Sequence, residues 1–246
     1  MKAVRFVLVT ATAMALAACQ KDNSQIKTTS DGETNMSPSG DSANARGHSM
    51  VRVVNAIVGG KEIGIKLDDA TIFENVKPAS VTDYREVDAK LAKFTVLPTG
   101  AMDAPQPPER DQVMMDGNRY TVVLLAEDVS KTVLRVVQDE VIPDSAMARV
   151  RILHAAPGGP ELDVKAVGAA DKLFSGVDFK SEAGYKDVTP ATMTLEIRAK
   201  DQDKVLLTVP KLELARGTST TIVVTGAGKL AYFTFVDAMM APMPKP

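Results

Sequence analysis

The sequence predicts an all-β chain with two tandem antiparallel β-sandwiches, of the immunoglobulin-like or transthyretin-like kind. Three observations support this fold class. A strand pattern near residue 51 returns about a hundred residues later, apolar residues occur in short alternating runs, and most runs are bounded by Gly, Pro, Asp or Asn. Apolar residues make up 45% of the chain and aromatic residues only 4%, with no Trp. The cores must therefore be built mainly from Val, Leu and Ile, which favour strands.

Each copy opens with the same pattern, which is a short apolar strand, a Gly-Gly pair and a second short strand. The pattern spans residues 51–66 in the first copy and 150–165 in the second. Two strands around a Gly-Gly pair predict a β-hairpin that buries one face of alternating apolar residues. We therefore expect one sandwich at 48–140 and another at 147–238, joined by a short linker that contains Pro143.

The repeat continues through the later strands at offsets of 98–101 residues. The matching runs are Phe73–Val76 with Phe174–Val177, Asp83–Val87 with Gly184–Val188, Phe94–Val96 with Leu195–Ile197, and Tyr120–Val123 with Thr220–Val223. The run 192–199 alternates polar and apolar residues, so one of its faces should meet water and the other a facing sheet. Turns are predicted at Asp116-Gly117, Arg216-Gly217 and Gly226-Ala227-Gly228, and closing strands at Val133–Val137 and Ala231–Val236.

The two copies differ at residues 98–110, where the first copy is rich in proline. The second copy has a plausible strand, Lys204–Val209, at the corresponding place. Proline removes donors from a strand ladder, so we expect a mobile surface loop in the first copy. This loop is either idle or a recognition loop for a partner.

The N-terminus is typical of a secretory signal peptide. Lys2 and Arg5 precede an apolar run, Phe6–Ala18, that is too short for a membrane-spanning helix. The run ends in Leu16-Ala17-Ala18-Cys19, which resembles a bacterial lipobox. The alternative is an ordinary signal peptide that ends beside a coincidental cysteine.

The lipobox resemblance implies that the chain is cleaved after Ala18 and lipidated on Cys19. A diacylglyceryl group would be attached to the Cys19 sulfur, and the new amine would carry a fatty acyl group such as palmitate. Two or more acyl chains hold a protein firmly to a membrane, whereas one holds it weakly. Gln20 stands where Asp would suggest retention in the inner membrane, so the resemblance favours the outer membrane, on its periplasmic face or at the surface.

Residues 19–47 are expected to be the lipidated cysteine followed by a disordered linker. The segment is dominated by Ser, Asp, Asn, Gly and Thr and contains few apolar residues, so it cannot offset the entropy of ordering. A flexible chain of this length has an end-to-end distance of roughly 30 Å. The folded body should therefore float near the membrane. The tail 239–246, rich in Met and Pro, is also expected to be disordered.

Charge and cysteine content exclude several classes of protein. The formal net charge is −2 with charges of both signs dispersed, so the chain lacks the basic patch that nucleic-acid binding requires. Cys19 is the only cysteine, so no intrachain disulfide can form. The Cys, Trp, Cys signature of antibody domains is therefore absent.

The pattern Val150–Pro157 followed by Glu161-Leu162-Asp163-Val164 resembles a bacterial family called domain of unknown function 4397 (DUF4397). The resemblance covers residues 48 to about 238 and implies small β-sandwich modules, often in tandem and often on envelope lipoproteins, without an established activity. The first copy departs from the pattern, with Asn55 at the position of His154 and Gly64 at that of Asp163.

His154 and Asp163 are the one pair that could supply chemistry. They flank Gly158-Gly159 and could face each other across a hairpin, as a base and its orienting carboxylate do. This pattern allows a periplasmic hydrolase of transthyretin-like architecture. The favoured interpretation is structural, with His154 fixing the turn by hydrogen bonding.

The sequence gives little indication of a metal site or a phosphate-binding site. His48 and His154 are the only histidines, which makes a zinc site improbable, and Gly226-Ala227-Gly228-Lys229 lacks the first glycine and the Ser or Thr of a phosphate loop. Met239, Met240 and Met243 could hold cuprous ion through their thioethers. We expect no cofactor and no metal site, with this copper-binding tail as an alternative.

The sequence therefore predicts a lipid-anchored protein of the bacterial cell envelope. Its role should be non-enzymatic, namely binding, adhesion or structural support through two β-sandwich modules. The expected partners are the membrane, reached through Cys19, and an envelope protein or glycan.

Overall fold

The computed structural model describes residues 47–98, 107–128, 131–140 and 146–237. Within these ranges the chain forms seventeen β-strands and no helix, which confirms the all-β fold class. No helix long and apolar enough to cross a membrane occurs in them. The signal segment, almost all of the tether, most of the Pro-rich loop and the Met-rich tail lie outside the described residues.

The first module contains nine strands. They are β1 His48–Asn55, β2 Ile63–Leu67, β3 Ala70–Val76, β4 Ser80–Val81, β5 Arg85–Asp88, β6 Leu91–Pro98, β7 Glu109–Val113, β8 Arg119–Ala126 and β9 Thr132–Asp139. One sheet, called the inner sheet here, has the order β4-β1-β8-β9, with β5 also pairing with β1. The other, the outer sheet, has the order β3-β2-β6-β7.

The second module repeats this plan with eight strands. They are β10 Ala148–His154, β11 Leu162–Ala166, β12 Phe174–Val177, β13 Glu182–Val188, β14 Ala191–Ala199, β15 Val205–Leu214, β16 Ser219–Thr225 and β17 Ala231–Val236. Its inner sheet has the order β13-β10-β16-β17 and its outer sheet the order β12-β11-β14-β15. The repeat, the closing strands β9 and β17, and the three turns agree with the sequence prediction.

The hairpin predicted around each Gly-Gly pair is wrong. β1 belongs to the inner sheet and β2 to the outer sheet, and β10 and β11 are separated in the same way. The Gly-Gly segment therefore crosses from one sheet of the sandwich to the other. The first strand instead pairs in parallel with β8 in the first module, and β10 pairs in parallel with β16 in the second.

The Pro-rich segment is also shorter than predicted. Pro98 ends β6, while Glu109 and Arg110 already belong to β7, which pairs with β6 in the antiparallel sense. The first module thus has a counterpart to part of β15, and the loop is confined to the residues between these two strands.

Each module has its own apolar core between its inner and outer sheets. Phe94 and Val122 lie in the first core, and Ile197 and Ile222 lie in the second, all with no more than a trace of exposed surface. A third apolar cluster lies between the two inner sheets, with Val54 and Val123 from one module and Leu153 and Val223 from the other. The two inner sheets therefore face each other and are buried on both faces.

Candidate functional site

His154 braces the segment that crosses between the sheets of the second module. Its Nδ1 accepts a hydrogen bond from the backbone N–H of Ala156 (3.3 Å), and its Nε2 lies 3.0 Å from the carbonyl oxygen of Pro160. These contacts require the neutral imidazole with its proton on Nε2. Burial lowers the pKa of His154, although the carbonyl of Pro160 opposes that shift, and so favours the same neutral form.

Asn55 performs the same task in the first module. Its Oδ1 accepts from the N–H of Ile57 (3.3 Å), and its Nδ2 donates to the carbonyls of Lys61 (3.3 Å) and Val76 (3.2 Å). Both side chains thus accept from the residue two positions ahead and contact the carbonyl six positions ahead. His154 thus makes the hydrogen bonds at the turn that its structural interpretation expected, and an amide makes the corresponding contacts in the first module.

Asp163 lies on β11 and organises the loops at one end of the outer sheet. It accepts hydrogen bonds from Ser175 Oγ (3.1 Å) and from the N–H groups of Gly176 and Asp201 (2.9 Å each), and its Oδ2 lies 2.6 Å from Lys172 Nζ. Burial opposes ionisation, but these donors outweigh it and lower the pKa of Asp163 to about 2. Asp163 is therefore a permanently charged anchor for local backbone.

The structure does not bring His154 and Asp163 together. They lie in different sheets, and all hydrogen bonds described for each go to separate partners. A base and its orienting carboxylate would have to be hydrogen-bonded to each other. Cys19, Ala18 and the methionines Met239, Met240 and Met243 lie outside the described residues. The described ranges contain no group of three or more His, Cys, Asp or Glu side chains placed to hold a metal ion.

A buried charge cluster, which the sequence reasoning missed, lies between the two inner sheets. Arg52 of the first module pairs with Asp237 at the end of the second, and Arg151 of the second module pairs with Asp139 at the end of the first. All four side chains are almost completely excluded from solvent. The shortest pairs are crossed, because each module supplies an arginine to the aspartate of the other. Each arginine also reaches the aspartate of its own module, Arg52 with Asp139 (3.6 Å) and Arg151 with Asp237 (3.1 Å).

Hydroxyl groups complete this cluster by joining the arginine and the aspartate within each module. Thr121 accepts from Arg52 Nε (2.8 Å) and donates to Asp139 (2.6 Å). Thr221 accepts from Arg151 Nε (2.8 Å) and donates to Asp237 (2.6 Å). A buried charge is tolerated only when it is paired and hydrogen-bonded, and here each charge is. The cluster therefore fixes the position of one module on the other.

Two tyrosines cover the arginines. The guanidinium carbon of Arg52 lies 4.6 Å from the ring centre of Tyr84, and that of Arg151 lies 4.6 Å from the ring centre of Tyr185. Burial raises the pKa of Tyr84 far above its usual range, and the carboxylate of Asp139 adds to this, so that the phenol stays protonated and donates to Asp139 (2.6 Å). The two arginines and two aspartates of this structural joint are thus shielded from solvent.

An open groove of about 450 Å³ lies at the edge of the second module, between the edge strands β15 and β17. Lys211 and Glu213 of β15 line one side, and Tyr232 and Thr234 of β17 line the other. Thr220 of β16 is among its lining residues and is only 3% exposed. Its hydroxyl finds no hydrogen-bond partner among the described residues, so a water or a bound group would have to supply one.

The first module closes the equivalent space with its own side chain. Tyr120 stands at the position of Thr220, is buried, and accepts a hydrogen bond from the N–H of Met115 (3.1 Å). β7 also packs against β9 at this edge. The two modules therefore differ at this edge, and we take the groove of the second module as the candidate binding site.

A comparison with known protein families gives two matches along the chain. A family model described as "Domain of unknown function (DUF4397)" matches residues 49–165 and again residues 148–245. The second match contains the strands of the second module. The first match covers the strands of the first module from residue 49 and extends through β10 into β11, and together the two matches cover well over half of the chain. A search of curated proteins found no match.

Proposed function

The chain belongs to the DUF4397 family, and from this premise we propose that it is a lipid-anchored protein of the bacterial cell envelope that holds a partner protein in the groove of its second module. The role is non-enzymatic. The observation that carries the binding part is the open groove beside β17, with the unpartnered hydroxyl of Thr220 among its lining groups.

The edge strand β17 supports the choice of a protein partner. Among the described strands it pairs only with β16, so one of its edges is free. It carries no charged residue between Ala231 and Val236 and is rich in aromatic and β-branched residues. Exposed edges of this kind are avoided in proteins unless something pairs with them. An extended segment of a partner would add as a further strand and place alternate side chains in the groove.

The opposite side of the groove is unsuited to strand addition. β15 presents Pro210, which has no N–H to donate, and Lys211, whose backbone lies in the left-handed region with φ 51°. Both features protect an edge against pairing. A partner strand would therefore pair with β17 and contact β15 only through side chains.

The lipid anchor is supported by the N-terminal sequence. The run that ends in Leu16-Ala17-Ala18-Cys19 would place diacylglyceryl and palmitate on the only cysteine of the chain, and Gln20 favours the outer membrane. Replacing Cys19 by alanine should move the protein from the membrane fraction to the soluble envelope fraction and abolish labelling with an alkyne analogue of palmitate. Unchanged fractionation and labelling would contradict the anchor.

The binding role is tested with a photo-crosslinking residue placed at Thr234 in the full-length, lipidated protein in cells. We expect a discrete crosslinked protein, identified by mass spectrometry. The matched control carries the crosslinker at Val136, the equivalent position of β9 in the first module. Equal products at both positions, or a product sensitive to glycosidases and not to proteases, would overturn the proposal.

A pair of charge substitutions sharpens this test. Val236, which is 49% exposed at the free edge, is replaced by lysine, and Gln138 at the same position of β9 is replaced in the same way. Because lysine on an edge opposes strand pairing, V236K should reduce the crosslinked product several-fold and Q138K should leave it unchanged. The reverse result would contradict strand addition at β17.

A further inference from the structure

Three large apolar side chains are exposed side by side on the first module. Leu91 is 67% exposed, Val113 is 58% exposed and Met115 is 59% exposed, and they surround an open depression of about 600 Å³. Leu91 and Val113 are directly paired across β6 and β7. Single exposed apolar residues are common, whereas a contiguous group of them marks a surface that meets an apolar partner. We call this group the apolar patch.

The second module has no such surface, although its strands follow the same course. At a constant offset of 100 residues, Ala191, Glu213 and Ala215 replace the three patch residues. The intervening core residue keeps its role, since Met114 and Leu214 are both buried. The fold therefore does not require large apolar residues at the patch.

The patch lies where the N-terminal segment joins the body. The hydroxyl of Ser49 donates to the carbonyl of Met115 (2.6 Å), and the N–H of His48 donates to the carboxylate of Asp116 (2.8 Å). The carbonyl of Gly47 accepts from the N–H of Ala89 (3.0 Å). The described chain therefore begins, at Gly47, beside the patch.

From this placement we infer that the apolar patch docks on the surface of the lipid bilayer to which Cys19 is anchored. The inference rests on the proposed lipid anchor. The sequence predicted a folded body that floats near the membrane. In the arrangement inferred here the first module instead contacts the lipid, and the groove of the second module remains available to a partner.

Two features favour the bilayer as the occupant. An anchor on Cys19 keeps the patch within roughly 30 Å of the lipid, so that even a weak apolar contact is populated by its high effective concentration. The charged groups at the rim are already engaged, Lys90 with Asp68 (3.1 Å) and Asp116 with the backbone of His48. Docking would therefore bury apolar surface while Lys90 keeps its partner and Asp116 keeps its backbone hydrogen bond.

The test uses the full-length, lipidated chain, which has no free thiol once Cys19 is acylated. Asp111, exposed on β7 two residues before Val113, is replaced by cysteine and labelled with a fluorophore. The protein is reconstituted on vesicles of phosphatidylethanolamine and phosphatidylglycerol that contain nitroxide-labelled lipid. Lys211, the equivalent and also exposed residue of the second module, is labelled as the control.

We expect quenching several-fold stronger at 111 than at 211, and its loss in the triple variant L91A/V113E/M115A, which copies the second module. Protein that does not float with the vesicles would refute the proposed anchor. Protein that floats but shows equal quenching at both sites, or unchanged quenching in the triple variant, would overturn the docking and leave the anchor intact. A dimer in detergent that the triple variant abolishes would assign the patch to a second copy and also overturn it.

Discussion

Asn55 and His154 occupy equivalent positions in the two modules and contact equivalent backbone groups with different side chains. Each accepts a hydrogen bond from the N–H two residues ahead and lies against the carbonyl six residues ahead. The common requirement is one acceptor and one donor at the right separation, which a neutral imidazole and a carboxamide both meet.

Replacing His154 should therefore distinguish a structural role from a chemical one. His154→Ala leaves a buried N–H and a buried carbonyl without partners, and we expect it to lower the free energy of unfolding by about 1–3 kcal/mol. His154→Asn, which copies the first module, should recover most of this loss. The measurement is urea denaturation of the full chain, and equal losses in the two variants would contradict the shared role.

The stability of the second module should fall as the pH is lowered through the titration of His154. Burial lowers the pKa of the folded imidazole below its usual 6.5, so the folded state favours the neutral form. The stabilisation is present above 6.5 and is lost as the pH falls through the lowered pKa. We expect wild type to lose more stability than His154→Asn between about pH 7 and pH 5. Parallel curves for the two proteins would argue against it.

Asp163 should stabilise the fold over a different range of pH. Its pKa is about 2 in the folded protein and 3.8 as the usual value, so its contribution is present above 3.8 and is lost as the pH falls toward 2. We expect Asp163→Asn to lower the free energy of unfolding by about 1–3 kcal/mol at pH 7. The gap between variant and wild type should narrow below pH 3.8. A gap that is constant with pH would show that ionisation is irrelevant.

The crossed charge cluster should make the two modules unfold together. Arg52→Ala leaves Asp237 and Asp139 short of one buried partner, and we expect a loss of about 3–5 kcal/mol. Wild type should unfold in a single transition followed by circular dichroism and calorimetry, and the variant should unfold in two. The control is Arg198→Ala on the outer sheet, with the more exposed partners Glu196 and Asp203, for which we expect less than about 1 kcal/mol. A single transition in the Arg52 variant would contradict the coupling.

A larger side chain that fills the groove should abolish partner binding without impairing folding. Thr220→Tyr copies the first module, where Tyr120 occupies the same position and its hydroxyl accepts from the backbone. We expect the crosslinked product obtained from position 234 to disappear while the melting temperature stays the same or rises, because an unpartnered buried hydroxyl is removed. Loss of folding in this variant would show that the groove is not free space.

The sequence was sufficient for most strands and for the repeat, because period-two alternation and turn residues are local signals, although it missed the start of β7. It was insufficient for the strand partners after the first element. A Gly-Gly pair fits a hairpin and a crossing between sheets equally well, and only the distant strand β8 decides between them, by pairing in parallel with β1. His154 and Asp163 therefore seemed close together although they lie in different sheets.

The sequence contains a signal for the buried charge cluster that alternation of polar and apolar residues does not reveal. In β8 the apolar residues Val122, Val123, Leu124 and Leu125 follow one another, which indicates burial on both faces of the strand. Arg52 and Arg151 recur at an offset of 99 residues and Asp139 and Asp237 at an offset of 98. This recurrence is consistent with a shared role for the four residues, but only the three-dimensional contacts show that they are buried and that the shortest pairs are crossed between the modules.

The crossed pairs have a consequence for how such a chain arises. A chain with one module that carried this arginine, threonine and aspartate would meet a second copy of itself and make the same contact twice, as symmetric homodimers do. When two such subunits are joined in one polypeptide, the contact is kept, and the two modules can differ in sequence everywhere else. Because the modules differ in sequence, one carries the groove and the other carries the apolar patch. A symmetric homodimer would carry both features on each subunit.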